Sequence, residues 1–276
     1  MLRTILAHVS RLLKESGILP SYQARKRLAV RYLKGAGLEI GPLHQPTPLP
    51  PGVRVTYVDY ATQQENIRRF PEIDPSGIVT TDLIDDGFTL STITDASQDF
   101  IIANHVLEHA ANPIQVLVNW ERLLKPGGIM FLSVPIGARC FDKGRAITSP
   151  DHFVADYQAV KGGDRGEFDR MNREHYREWL TISAPSINRS KHGETPPRTD
   201  AELAEQVQQM AEESAEIHFH VFSRESLVAL LDLVTRRYLP ALHHIETQRS
   251  KCGAEYIAIL KKTGSNGLFG AGSEQA

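Results

Sequence analysis

The polar residues able to do chemistry in this 276-residue chain fall into two groups. The first stands where four successive apolar runs stop: Glu39 and Gly41 at the end of Gly37–Ile40, Asp59 after Val53–Val58, Asp82 after Gly77–Thr81, and Asn104-His105 after Asp99–Ala103. A glycine at the first such turn lets a ligand approach the backbone. An acid closing the second run, 20 residues beyond Glu39, suits both hydroxyls of a ribose. One such residue would be unremarkable, but four consecutive run ends form a pattern. The second group is histidine, whose proton exchange is poised near neutral pH. His105 and His109 stand four apart around Glu108, Asp151-His152 and Glu174-His175-Tyr176 lie in a later polar stretch, and His218 and His220 alternate. His105, His152 and His175 are the candidate general bases, while His109 reads as a helix-packing residue. His218 and His220 would face one side of an extended segment. That spacing could hold a metal, but no acidic partner is identifiable in the sequence, so two hydrogen-bonded histidines closing the polar stretch onto a sheet are expected, and no metal site is assigned.

Elements of alternating type must position these residues. From residue 37 short apolar runs alternate with helical patterns, which argues for a parallel α/β sheet. Helices are expected over Gln63–Phe70 and Pro113–Leu124, the latter with Leu117, Trp120, Leu123 and Leu124 on one face. Lys125-Pro126-Gly127-Gly128 breaks the second helix before a fifth strand, Ile129–Val134. Residues 136–216 are polar and rich in turn formers, with helical patterns over 167–180 and 200–215; a stretch this long in a compact domain reads as an inserted cap rather than a structureless loop. A helix over Ser223–Thr235 and strands over Leu239–Thr247 and Glu255–Lys261 complete the pattern, the two strands close enough to form an antiparallel hairpin. The expected fold is therefore α/β, a mostly parallel seven-stranded sheet with an antiparallel edge strand. Its expected parts are a basic helical segment (1–36), a ligand-binding half (37–135), the cap on the substrate side (136–216), the closing helix and hairpin (217–263) and a Gly/Ser-rich disordered tail (264–276).

Composition sets the outer limits. Hydrophobic residues make up 41% of the chain, enough for a sizeable core. A net charge of −2 offers no field for nucleic acid. Two cysteines, Cys140 and Cys252, exclude a disulfide scaffold and a cysteine-based zinc cage. No uncharged apolar run approaches the roughly 20 residues that span a bilayer, so a cytoplasmic protein is expected. Residues 1–36 hold eight basic residues against Glu15, and Leu2, Ile5, Leu6, Val9, Leu12 and Leu13 recur at helical spacing. Such a helix either packs on the domain with its charges in water, which is the simpler expectation, or makes a peripheral membrane contact; an organellar transit peptide has a similar composition. In the cap, Arg139, Lys143, Arg145, Lys161, Arg165, Arg170, Arg173 and Arg177 are balanced by neighbouring acids and read as a solvated face, with recognition of an acceptor's phosphates the alternative. The cap is also the surface where protein partners are expected.

The motifs Leu-Glu-Ile-Gly-Pro (38–42), Tyr-Val-Asp (57–59), Asp-Phe-Ile-Ile-Ala-Asn-His-Val-Leu-Glu-His (99–109) and Leu-Leu-Lys-Pro-Gly-Gly (123–128) together resemble those of class I S-adenosylmethionine-dependent methyltransferases. They look most like a type 11-like bacterial subgroup associated with glycosyltransferase and surface-polysaccharide genes. The resemblance covers about residues 36–135 well, and the closing helix and hairpin fit the family's Rossmann-like order. It implies S-adenosylmethionine as cofactor, with Glu39 and Gly41 shaping the loop around its methionine part and Asp59 accepting from both ribose hydroxyls. It also implies Asp82 at the adenine amino group, Leu83 flanking the ring, and Asn104 and His105 beside the sulfonium. The sequence departs from the family at Leu43, where a second glycine usually stands.

The resemblance implies transfer of a methyl group to a small-molecule or glycan acceptor, at oxygen, in polysaccharide biosynthesis. A non-catalytic methyltransferase-fold scaffold within a polysaccharide assembly is the competing reading, favoured by Leu43 and opposed by the acids at 59 and 82. Nucleic-acid methylation is not expected, because the fourth run is not followed by the Asn/Asp-Pro-Pro-aromatic signature. A nicotinamide dehydrogenase fits worse, with one glycine of a G-x-G-x-x-G fingerprint present.

Overall fold

The computed structural model describes residues 20–192, 198–250 and 254–264. The first described element is α1, Pro20–Tyr32, followed by β1 (Ala36–Ile40), β2 (Arg54–Asp59), α2 (Gln63–Arg69), β3 (Leu83–Ile84) and β4 (Gln98–Asn104). Next come α3 (Pro113–Leu123) and β5 (Leu124–Pro135), then four cap helices: α4 (Pro150–Lys161), α5 (Arg165–Glu178), α6 (Ala184–His192) and α7 (Asp200–Glu212). A π-helical turn, Trp179–Ser183, joins α5 to α6. Helix α8 (Arg224–Arg237) and strands β6 (Leu242–Arg249) and β7 (Glu255–Lys262) close the fold. The helix starts obey local capping chemistry. Thr62 and Glu65 form a capping box on α2, and Asn112 and Ser149 cap α3 and α4 just ahead of a proline at the first helical position.

The seven strands run in the order β3-β2-β1-β4-β5-β7-β6, parallel except for β7, which is antiparallel to both β5 and β6. Alternate residues feed opposite faces. Leu38, Ile40, Ile101, Ala103, Met130 and Leu132 join the larger core beneath α3, α4 and α8, while Phe100, Ile102, Phe131, Ile257 and Ile259 pack against Ala24, Leu28 and Ala29 of α1. At Gly37 a Cβ would fall 2.2 Å from the Phe100 carbonyl oxygen, so the close β1–β4 approach requires glycine there. The chain leaves β1 for strands on one side and returns through β4 to the other. That switch lies between β1 and β4, and in open α/β sheets ligands bind beyond the carboxyl ends of the strands at such a point.

Two expectations need correction. The third strand is Leu83–Ile84, not Gly77–Thr81. Pro75–Gly77 forms a 3-10 turn, the Val79 amide donates to the Leu43 carbonyl, and the Ile78 carbonyl accepts from Gln63, so this backbone is committed to the loop after β1 and to α2 instead of to β2. The cap contains α4 and α6 as well as the two helices expected, because Ser149-Pro150 starts a helix instead of marking a turn. Tyr22, Ala24, Leu28 and Ala29 of α1 are buried, and the helix packs on the sheet. The helix expected over Leu2–Leu13 and nearly all of the Gly/Ser-rich tail lie outside the described residues. No described helix is long and apolar enough to cross a membrane.

Candidate functional site

Parallel registry brings the strand ends to one rim, where Ile40 pairs with both Val58 and Ala103 and Asn104 pairs with Ser133. Glu39 is fully buried there and organises the loop that follows β1. Its carboxylate accepts from the Thr47 amide at 2.9 and 3.1 Å, from Thr47 Oγ1 at 2.8 Å and from Asn104 Nδ2 at 3.2 Å. Burial pushes this carboxyl above the ordinary range, and the Thr47 and Asn104 donors pull it back. Glu39 thereby folds the Pro-rich segment 42–51 back over the end of β1. Within it Gly41 takes φ +58°, and a Cβ there would meet nothing nearer than Val106 Cγ2 at 3.9 Å, so the space above its backbone is open. Leu43 takes φ +46°. The loop keeps a left-handed, glycine-like backbone at this position while carrying a leucine, a conformation that costs about 1–2 kcal/mol.

Asp59 closes β2. Its Oδ1 accepts from the Ala61 amide at 3.0 Å and its Oδ2 from Asn66 Nδ2 at 3.1 Å, which orients the carboxylate and leaves acceptor capacity on both oxygens. Burial raises its pKa, opposed by those donors. Asp82 lies one residue before β3, exposed, with Oδ2 taking the Tyr57 amide at 2.8 Å; Leu83 is half-buried beside it in β3. The acid that follows β3 is Asp85, a residue the sequence pattern did not single out. Its Oδ2 holds the Thr92 amide at 3.0 Å and hydroxyl at 2.6 Å, a turn-closing role.

At the end of β4, Asn104 donates to Glu39 and to Thr47 Oγ1 (2.8 Å) and accepts from Ser133 Oγ at 2.9 Å. His105 takes φ +55°, an uncommon backbone for a non-glycine residue and one that clusters at functional sites. Its Nε2 donates to Glu255 Oε2 at 3.0 Å, and its Nδ1 lies 3.5 Å from Glu108 Oε1. Burial lowers its pKa, but the two carboxylates outweigh that and hold it up at about 9. Glu255 is also clasped by Arg25, whose Nε reaches Oε1 at 3.0 Å, while Arg25 Nη2 lies 3.4 Å from Ser133 Oγ. One network thus runs from Arg25 through Glu255 to His105, and from Arg25 through Ser133 and Asn104 to Glu39 and Thr47. Sequence reasoning missed Arg25, Ser133 and Glu255, because their partners lie far away along the chain: Arg25 and Glu255 are separated by 230 positions and Arg25 and Ser133 by 108. Thr47 and Glu108 lie within eight and three residues of Glu39 and His105, and were assigned no role because neither spacing marks a contact by itself.

The two cap histidines meet each other. His152 on α4 and His175 on α5 bring their Nε2 atoms to 3.0 Å, in a cluster with Asp156 and His220. Burial and neighbouring His152 and Arg145 hold the His175 pKa down at about 3, and His152 is also lowered by burial. Neither is a strong base at neutral pH. His218 and His220 have different partners. His218 Nδ1 donates to Asp142 Oδ2 at 2.6 Å, and His220 enters the His152–His175 cluster. Arg145 ties this segment down by donating to the His218 and Phe219 carbonyls and pairing with Asp142. It is therefore a buried clamp, not part of a solvated face.

A family model described as "Methyltransferase domain" matches residues 50–234. A search of curated proteins found no match. Among solved structures, a SAM-dependent methyltransferase from Thermotoga maritima is similar at 15% identity over 95% of this chain and 97% of its own, with a TM-score of 0.43. One from Aquifex aeolicus shows 9% identity over 83% of this chain and 82% of its own, with a TM-score of 0.40. A Rhodobacter sphaeroides protein described as a Zn-dependent alcohol dehydrogenase shows 13% identity over 88% of this chain and 90% of its own, with a TM-score of 0.47.

Proposed function

The chain belongs to the methyltransferase domain family, and on that premise we propose that it transfers the methyl group of S-adenosylmethionine to a hydroxyl of a sugar, glycan-linked or other small-molecule acceptor. One observation carries the cofactor assignment: Gly41, open to approach, and Asp59, with both carboxylate oxygens able to accept further hydrogen bonds, stand at neighbouring strand ends beside the β1–β4 switch. Bound there, S-adenosylmethionine supplies a methyl carbon already activated by positive sulfur. In this reading Asp59 holds the ribose hydroxyls, the loop fastened by Glu39 and Thr47 holds the methionine part, Asp82 and Leu83 meet the adenine, and Asn104 and His105 line the reacting end.

Positioning and exclusion of water are then the chain's main contribution, worth up to about 7–11 kcal/mol in favourable cases. A hydroxyl acceptor must also lose a proton. At neutral pH His105 already carries one, so in this reading it serves as a cation between Glu108 and Glu255 and becomes a base only above about pH 9. Leu43 motivated the scaffold reading, but its glycine-like φ preserves the loop path and weakens that argument.

Calorimetric titration with S-adenosylmethionine and S-adenosylhomocysteine, beside Asp59→Ala, tests the reading. Charge-assisted hydrogen bonds are worth about 1.5–3 kcal/mol each, so the variant should bind roughly ten- to a hundredfold more weakly. A folded, cofactor-free protein that binds neither ligand would instead support the scaffold.

A further inference from the structure

Away from the strand ends, the seam between the cap and the sheet holds four side chains from three separate segments. His152 and Asp156 lie one helical turn apart on the same face of α4, His175 comes from α5, and His220 comes from the extended segment before α8. One ligand atom from each lies within 4.8 Å of every other. His152 Nε2 is 3.0 Å from His175 Nε2 and 3.6 Å from Asp156 Oδ2, and His220 Nε2 is 3.7 Å from the same oxygen. The two contacts to carboxylate are too long for hydrogen bonds. They bracket, with the shorter contact, the ligand–ligand edge of about 3.3 Å that follows from tetrahedral zinc with bonds of about 2.0–2.1 Å.

Burial makes the arrangement hard to explain by protein contacts alone. Asp156 and His220 are 0% exposed and His175 is 6% exposed, yet neither carboxylate oxygen of Asp156 has a hydrogen-bond partner; the His220 ring interacts with the Ala111 backbone, which occupies one nitrogen and leaves the other for a ligand. A carboxylate is buried at tolerable cost when it is paired or coordinates a metal. The neighbouring group of Cys140, Asp142 and His218 has a different character, because Asp142 already receives His218, Ser183 and Arg145.

We propose that His152, Asp156, His175 and His220 form a binding site for one divalent transition-metal ion, zinc by its preference for imidazole and tetrahedral geometry. Four protein ligands leave no open position, so the ion is structural. It staples α4 and α5 to the segment 217–222, whose Phe219 and His220 amides donate to the Glu108 carbonyl beside the end of β4. His152, with a third of its side chain exposed (34%), offers the entry path.

The test uses tag-free, full-length protein stripped by a chelator. It is titrated with Zn2+ by calorimetry and, separately, with Co2+ followed by visible absorption. We expect one Zn2+ per chain, a higher melting temperature with Zn2+, and a tetrahedral Co2+ spectrum without a thiolate charge-transfer band. His175→Gln and Asp156→Asn, each confirmed folded by circular dichroism, should bind more than about 100-fold more weakly, beyond the usual cost of altering an outer-shell contact. Folded apo-protein that takes up no Zn2+, a thiolate band that moves the ion to a cysteine, or folded variants of undiminished affinity would each overturn the proposal. If the variants fail to fold, the stoichiometry and Co2+ spectrum of the unaltered protein decide. Neither readout depends on S-adenosylmethionine binding.

Discussion

Replacing Arg25 by methionine should destabilise the protein by about 3 kcal/mol at neutral pH, although α1 contributes no residue to the expected motifs. The Arg25 and Glu255 side chains are 6% and 4% exposed, and the guanidinium clasps the carboxylate through two nitrogens. Breaking a buried pair by removing one partner costs about 3–5 kcal/mol, because the other charge is left uncompensated. Burial would raise the Glu255 pKa, but His105 and Arg25 together hold it down at about 2 against an ordinary 4.5. His105 remains beside Glu255 in the variant, which favours the lower end of the range. Urea unfolding measures the effect as a lower midpoint at unchanged slope. Glu255→Gln removes the charge that would be orphaned, so the double variant should lose less than the sum of the two single losses. Because the folded-state pKa of Glu255 is depressed, its contribution is fully present above about pH 4.5 and is lost as pH falls toward about 2. The gap between wild type and Arg25→Met should therefore narrow across that window. A neutral-pH cost below about 1 kcal/mol, or a gap that does not shrink on acidification, would refute the reasoning.

Asp142→Asn should cost about 2–4 kcal/mol by urea unfolding, since it removes the negative charge that receives Arg145, Ser183 and His218 in a buried site. The Asp142 pKa is held at about 2 by His218, Ser183 and Arg145 against burial, so this contribution is present above about pH 4 and fades as pH falls to about 2; the variant's stability should change less over that range. Leu43→Gly should leave S-adenosylmethionine affinity within about threefold, under 1 kcal/mol, because the leucine already occupies the left-handed backbone a glycine would take. A tenfold gain by calorimetry would mean that the leucine side chain narrows the cofactor loop.

Local physical chemistry made much of the fold readable. Short apolar runs marked β1, β2, β4, β5 and the closing hairpin, and helical patterns put the starts of α2, α3 and α8 within a residue of where the structure has them. The strand-end positions of Glu39, Asp59 and Asn104 were legible for the same reason: where an apolar strand stops beside a polar residue is information carried within a few positions. Leu83–Ile84 was misplaced because Ile78 and Val79 look like a strand locally, and only their partners, Gln63 and Leu43, show that their backbone is engaged elsewhere.

Tertiary structure alone decided which charges meet. The sequence showed Arg25 in a basic run and Arg145 among balanced charges, with nothing to separate either from a solvated side chain. Folding buries both, one against Glu255 across 230 positions and the other against Asp142 and the carbonyls of residues 218 and 219. His152 and His175 read as candidate bases by residue type, yet α4, α5 and the segment before α8 enclose them with Asp156 and His220, where burial suppresses protonation. Charge state and basicity depend on solvent exclusion and through-space neighbours. Periodicity and residue type, which a sequence does carry, report neither.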